Sequence, residues 1–115
     1  MANQALPLEV TPAEVKRRLD AGEAIALIDV REPREEQQAR IEGAELIPMR
    51  TAPAALQALK EKAEQKTLIV FCHHGARSLN VVHWLREQGV ASCQNMTGGI
   101  DRWSLEIDSS VPRYF

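Results

Sequence analysis

Residues 68–78, Leu68-Ile69-Val70-Phe71-Cys72-His73-His74-Gly75-Ala76-Arg77-Ser78, pass from an apolar run through a cysteine into a polar loop and an amphipathic stretch. The apolar part is the strongest strand candidate in the chain. Having no polar alternation, it suits a strand buried on both faces. From Ala76 to Gln88 the pattern turns helical, with Leu79, Val82 and Leu85 inward and Gly89 just past the end. In parallel α/β sheets ligands bind where a strand gives way to a helix N-terminus. Cys72 stands at such a place, and the rest of the chain repeats the same strand–helix alternation.

Upstream, Thr11-Pro12-Ala13-Glu14 reads as a capping box with proline in the first turn, opening a helix with Val15 and Leu19 on one face and Gly22 as its stop. Ala24 to Val30 is a second buried strand. Arg31 to Arg40 is charged and reads as a loop with a short helix, followed by a short strand at Leu46-Ile47 closed by Pro48. Pro53 to Ala63 predicts a helix facing inward through Leu56, Leu59 and Ala63. Downstream, a short strand at Cys93 to Asn95 leads to Gly98-Gly99 and a final helical turn around Arg102-Trp103. Strands separated by helices predict an α/β sandwich, a parallel sheet with helices on both faces.

A chain of 115 residues suits one compact domain. Its formal charge is −2, with basic residues scattered among acidic ones, and this argues against nucleic acid and anionic membrane as partners. The apolar runs Ile25 to Ile28 and Leu68 to Cys72 are too short to span a bilayer. Met1-Ala2-Asn3-Gln4 carries no secretory pattern, so the expected compartment is the cytoplasm. Two cysteines, Cys72 and Cys93, are too few for a disulfide scaffold.

The chemistry concentrates at Cys72. Residues between a strand end and a helix start can turn several backbone N–H groups inward as an anion-binding nest. Gly75 permits the backbone conformation a tight cradle needs. Arg77 offers a forked cation suited to a sulfonate or phosphate, and Ser78 adds a hydroxyl. Such surroundings favour the thiolate, the nucleophilic form. A lone cysteine at a strand end is ordinarily a small buried hydrophobe. The spacing Cys-x-x-Gly-x-Arg-Ser between a buried strand and an amphipathic helix makes the nucleophile the better reading.

Cys72-His73-His74-Gly75-Ala76-Arg77-Ser78 resembles the active-site loop of the rhodanese family. Ile28-Asp29-Val30-Arg31-Glu32 resembles the family's first signature, and Ile41-Glu42-Gly43-Ala44 with Ile47-Pro48 the second. Met96-Thr97-Gly98-Gly99-Ile100-Asp101-Arg102-Trp103 resembles the third. The resemblance implies a three-layer sandwich around a parallel sheet of about five strands. It places one domain over residues 1–115, with a core near 7–106 and a tail over 107–115.

The resemblance also implies a sulfurtransferase. Cys72 takes a sulfane sulfur from thiosulfate or a similar donor as a persulfide, then hands it to cyanide, a thiol or an acceptor protein, a sulfur-carrier protein among the acceptors it implies. His73, His74, Gly75, Ala76, Arg77 and Ser78 line the substrate, Asp29 and Arg31 support the site, and neither a metal nor an organic cofactor is needed. Cysteine-loop phosphatases, the enzyme alternative, have one more residue between cysteine and arginine than the four found here. Rhodanese domains also occur as inactive binding modules, but those usually lack the cysteine. Ala39-Arg40-Ile41 departs from the family's Gly-His-Ile. Ile107 to Tyr114 resembles rhodanese domains fused behind ubiquitin-like-protein activating enzymes.

Other residues read as structural. His73 and His74 invite a zinc assignment, but neighbouring side chains in a tight loop are expected to diverge, so they are read as lining the mouth and adding positive charge near or below neutral pH. His83 reads as a surface residue, Cys93 as buried packing rather than a resolving thiol, and Trp84 and Trp103 as packing. Asp29 reads as structural rather than as a general base. The run Arg31 to Glu36 reads as a solvated loop.

Overall fold

The computed structural model describes residues 6–115; the reading of Met1 to Gln4 lies outside them. The elements run β1 (Glu9–Val10), α1 (Pro12–Asp20), β2 (Ile25–Asp29), α2 (Pro33–Gln38), β3 (Glu45–Leu46), a 3-10 helix (Met49–Ala55), α3 (Leu56–Ala63), β4 (Thr67–Phe71), α4 (Ala76–Glu87), β5 (Cys93–Met96) and α5 (Gly99–Glu106). The five strands form one parallel sheet in the order β1-β5-β4-β2-β3.

Alternation along the central strands divides the core into two layers. Leu27, Ile69, Phe71 and Met96 face Val15, Ile100 and Trp103 from α1 and α5. Ile28, Leu68, Val70 and Cys93 face Leu59, Val82 and Leu85 from α3 and α4. Both faces of β4 are thus covered, and for this reason its sequence is apolar without alternation.

Thr11 caps α1 by accepting the Glu14 amide at 3.1 Å, with Pro12 in the first turn. The inward stripe of α4 is Ser78, Val81, Val82 and Leu85. Leu79, expected inward, is only half-buried. The helical period runs through Ser78, a polar residue that a hydrophobic count passes over.

The expected helix from Pro53 is also divided. Thr51 satisfies the Pro48 carbonyl through its amide (2.7 Å) and its hydroxyl (2.8 Å), so 3-10 turns begin before Pro53 and α3 starts only at Leu56. β1 escaped the periodicity reading because two residues carry no pattern. It is held by Asn95 N–H to the Leu8 carbonyl and Thr97 N–H to the Val10 carbonyl. The last helix, expected as one turn, spans eight residues. No described helix is long and apolar enough to cross a membrane.

Candidate active site

β4 delivers Cys72 to the carboxyl edge of the sheet, where its residue is 2% exposed. The chain then turns through His73 and His74 to Gly75, whose φ of +108° is open to glycine and strained for other residues. That turn brings the Gly75 N–H to 3.1 Å from Cys72 Sγ, donating to it. The loop is supported from below by the start of α5. Ile100 N–H donates to the Cys72 carbonyl (2.9 Å) and Asp101 N–H to the His73 carbonyl (3.1 Å). These are orphan first-turn amides of a helix, satisfied by the neighbouring loop. Gly99 makes this approach possible: a Cβ there would lie 2.3 Å from the Cys72 carbonyl oxygen and 2.5 Å from that of His73.

Ser78, fully buried in the first turn of α4, places its hydroxyl 3.4 Å from Cys72 Sγ and also donates to Asn95 Oδ1. Asn95 is itself fixed, its amide nitrogen donating to Glu9 (2.9 Å) and to the Gly75 carbonyl (3.3 Å). The sequence reading missed Asn95. Its signal was a pair of polar residues, Gln94-Asn95, inside a strand otherwise built for burial.

Of the run Arg31 to Glu36, expected to be solvated, Pro33 and Arg34 are exposed, but Arg31 is 0% exposed and Glu35 9%. Arg31 makes a two-pronged pair with Asp29 at 2.9 and 2.7 Å, and donates to the carbonyls of Glu35 and Ala39. A buried guanidinium needs every donor matched, and here the main chain of α2 supplies what Asp29 does not. Glu35 accepts both terminal nitrogens of Arg77, at 2.7 and 2.8 Å. It also accepts the Tyr114 hydroxyl at 2.8 Å and the Glu32 amide at 3.0 Å. The Arg77 fork holds the Glu35 carboxyl down at about 2, and Glu35 in turn raises the guanidinium. Arg77, assigned from sequence to a substrate anion, thus has its fork filled by a carboxylate of the protein. Neither Glu35 nor Tyr114 was singled out from sequence. A charged run offers no cue to which of its members turns inward.

At the mouth, His73 and His74 do not diverge. Their rings stack with centroids 3.8 Å apart, and Tyr114 stacks on His73 at 3.9 Å. Burial, reinforced by His74, holds His73 below the ordinary imidazole range, so positive charge from it at neutral pH is lost. His74 is exposed, with Nε2 at 3.8 Å from Asp101. Asp101 is paired with Arg113 at 2.8 and 3.1 Å. His73, His74 and Asp101 each bring a possible metal-ligand atom within 4.8 Å of the others. The Asp101 carboxylate is already committed to Arg113.

Ala76 is exposed at the start of α4, and His83 is exposed on its outer face. Cys93 is free and buried, its sulfur 3.4 Å from the Val90 carbonyl, and burial pushes its thiol up.

The chain is similar to known proteins over most of its length. The rhodanese-like domain family matches residues 11–106. The chain is 35% identical over 98 residues to a putative sulfurtransferase of Bacillus subtilis, YtwF, covering 85% of this chain and 91% of that protein. It is 35% identical over 109 residues to the adenylyltransferase and sulfurtransferase MOCS3-2 of Zea mays, covering 91% of this chain and 23% of that one. The chain spans less than a third of the length of the first curated relatives it matches. Among solved structures, the human single-domain sulfurtransferase TSTD1 superposes with a TM-score of 0.74 at 27% identity, over 88% of this chain and 98% of the other.

Proposed function

The chain belongs to the rhodanese-like domain family, and on that premise we propose that it transfers sulfane sulfur through a persulfide on Cys72. The Cys72 thiolate attacks the outer sulfur of a donor. A Cys72–sulfur bond forms while the donor's sulfur–sulfur bond breaks, and the remainder leaves with the electron pair (sulfite, where the donor is thiosulfate). An acceptor nucleophile such as cyanide or a thiol, free or on an acceptor protein, then attacks the terminal sulfur; its bond to that sulfur forms as the Cys72 sulfur–sulfur bond breaks and the thiolate is restored.

The observation that carries this reading is the Gly75 N–H donating to Cys72 Sγ across a four-residue loop at a strand's carboxyl end. That bond closes the loop around the sulfur and keeps a donor against it at the edge of the sheet. Ser78 adds a hydroxyl to the same sulfur. The Asp29–Arg31 pair and the Glu35–Arg77 pair secure β2, α2 and α4 around the loop. The catalytic unit runs from about residue 7 through α5 and continues into the C-terminal segment that reaches the mouth.

Intact mass after incubation with thiosulfate, and separately with a low-molecular-weight persulfide, tests the proposal. One sulfur is expected on the wild type and on Cys93→Ser, and none on Cys72→Ser. Loss of loading in Cys93→Ser with retention in Cys72→Ser would overturn the assignment.

A further inference from the structure

We propose that Tyr114 is a positioning residue for the sulfur-loading step, holding the Cys72–Gly75 loop in its reactive shape from the C-terminal segment. This rests on the reading of Cys72 as the nucleophile. The ring of Tyr114 lies flat on the His73 imidazole, with planes 11° from parallel. Its hydroxyl donates to Glu35 at 2.8 Å and accepts from Arg31 at 3.1 Å. One side chain therefore touches both the residue following the nucleophile and the two charged pairs that flank the loop.

The segment is seated independently of that contact. Val111 is buried in the same layer as Trp103 and Ile100, and its carbonyl accepts the Ser104 hydroxyl. Arg113 grips Asp101 of α5 through two nitrogens. Tyr114 thus arrives at the loop on a restrained backbone.

The route to the sulfur is short. Cys72–Gly75 lies between β4 and α4; its Gly75 carbonyl accepts the Leu79 N–H at 3.1 Å, and the shape of the rest depends on neighbours. α5 holds the Cys72 and His73 carbonyls from one side, and Tyr114 holds the His73 ring from the other. The Gly75 N–H meets Cys72 Sγ only while the two residues between them keep this path. The Tyr114 hydroxyl is the lesser tie, because without it Glu35 keeps Arg77 and the Glu32 amide, and Arg31 keeps Asp29 and two carbonyls.

The test compares Tyr114→Leu, Tyr114→Phe and Arg113→Gln with the wild type. Single-turnover loading of Cys72 is followed by intact mass beside thermal melting, and the His73 ring titration is followed by NMR. A displacement of about 1 Å at a reacting group can cost on the order of a hundredfold, and partial loosening is expected to cost Tyr114→Leu about tenfold in loading rate. Tyr114→Phe keeps the stack and should stay within about threefold. Arg113→Gln, which unlatches the segment without touching the loop, should fall between them.

In the wild type His73 faces His74, Asp101, Glu35 and the Tyr114 main chain, and it titrates low through burial. Its midpoint should rise in Tyr114→Leu and Arg113→Gln and stay in Tyr114→Phe. A purely structural role would change melting without separating the two Tyr114 variants in this way. Folded Tyr114→Leu or Arg113→Gln loading at the wild-type rate would overturn the inference alone. A wild type that accepts sulfur from neither donor would overturn the Cys72 reading and this inference with it.

Discussion

Glu35→Gln isolates the contribution of the charged network beside the loop. The Glu35 carboxylate accepts from two nitrogens of Arg77, the Tyr114 hydroxyl and the Glu32 amide. Arg77 first among these holds it at about 2 in place of 4.5. At about 1.4 kcal/mol per pH unit, that difference corresponds to roughly 3 kcal/mol of folded-state stabilisation. The Arg77 side chain is 34% exposed, so solvent screening reduces the pair to about 2 kcal/mol. For a domain stable by about 5–15 kcal/mol this is a measurable share.

The folded carboxyl holds its proton less tightly than the unfolded one. The stabilisation is therefore complete above about pH 4.5 and is lost as pH falls towards 2. Glutamine imitates the protonated acid. Urea denaturation of both proteins between pH 7 and pH 2 should show the variant less stable by about 2 kcal/mol at neutral pH, with the gap closing below pH 4.5. Asp101 and Asp108, also held low by their partners, titrate in both proteins and cancel in the difference. A gap that persists unchanged to pH 2, or none at pH 7, would refute the reasoning.

Other expectations follow from single contacts. Gly99→Ala drives a Cβ into two main-chain carbonyls that cannot step aside, and melting should show a loss of at least about 3 kcal/mol or no folding. Gly22→Ala, at a φ of +75° with open space around it, should cost only about 1 kcal/mol and serves as its control. Four residues between Cys72 and Arg77 make a narrow ring, so hydrolysis of an aryl phosphate should be negligible beside sulfur transfer. Inserting a glycine between Gly75 and Ala76 should lower sulfur transfer about a hundredfold, measured as thiocyanate formed from thiosulfate and cyanide.

The fold was legible where one physical requirement dominated. β2 and β4 are buried on both faces and their sequences say so directly, and the Thr11-Pro12 cap announces α1. The placement of Cys72 just past β4 and of Gly75 at the start of α4 was legible because an apolar strand there gives way to an amphipathic helix. What escaped was set by partners remote in sequence. Arg31 looks solvated among its charged neighbours, yet Asp29, two carbonyls beyond it and a tyrosine 83 residues away make its burial possible. Val82 and Leu85 of α4 turn inward as expected, but Leu79 is only half-buried, because the inward position of the first turn is held by a serine, Ser78, against Cys72. His73 and His74 stack because Tyr114, from the far end of the chain, forms the third ring of the pile.

The position of Arg77 changes how anion recognition in this site is understood. A guanidinium free in the mouth would draw in any oxyanion of suitable size, phosphate included. Paired through both terminal nitrogens with Glu35, it instead staples the start of α4 to α2, and little net positive charge remains there for a ligand. Around Cys72 Sγ the Gly75 N–H donates at 3.1 Å, while the Ser78 hydroxyl lies 3.4 Å away with Asn95 Oδ1 as a competing acceptor. On the proposed persulfide reading, such a site would select a sulfur by position rather than a large oxyanion by charge. In that reading the charge moves from the Cys72 sulfur in the thiolate to the outer sulfur in the persulfide, so the Gly75 N–H acts on the sulfur that attacks and is restored, not on the one carried.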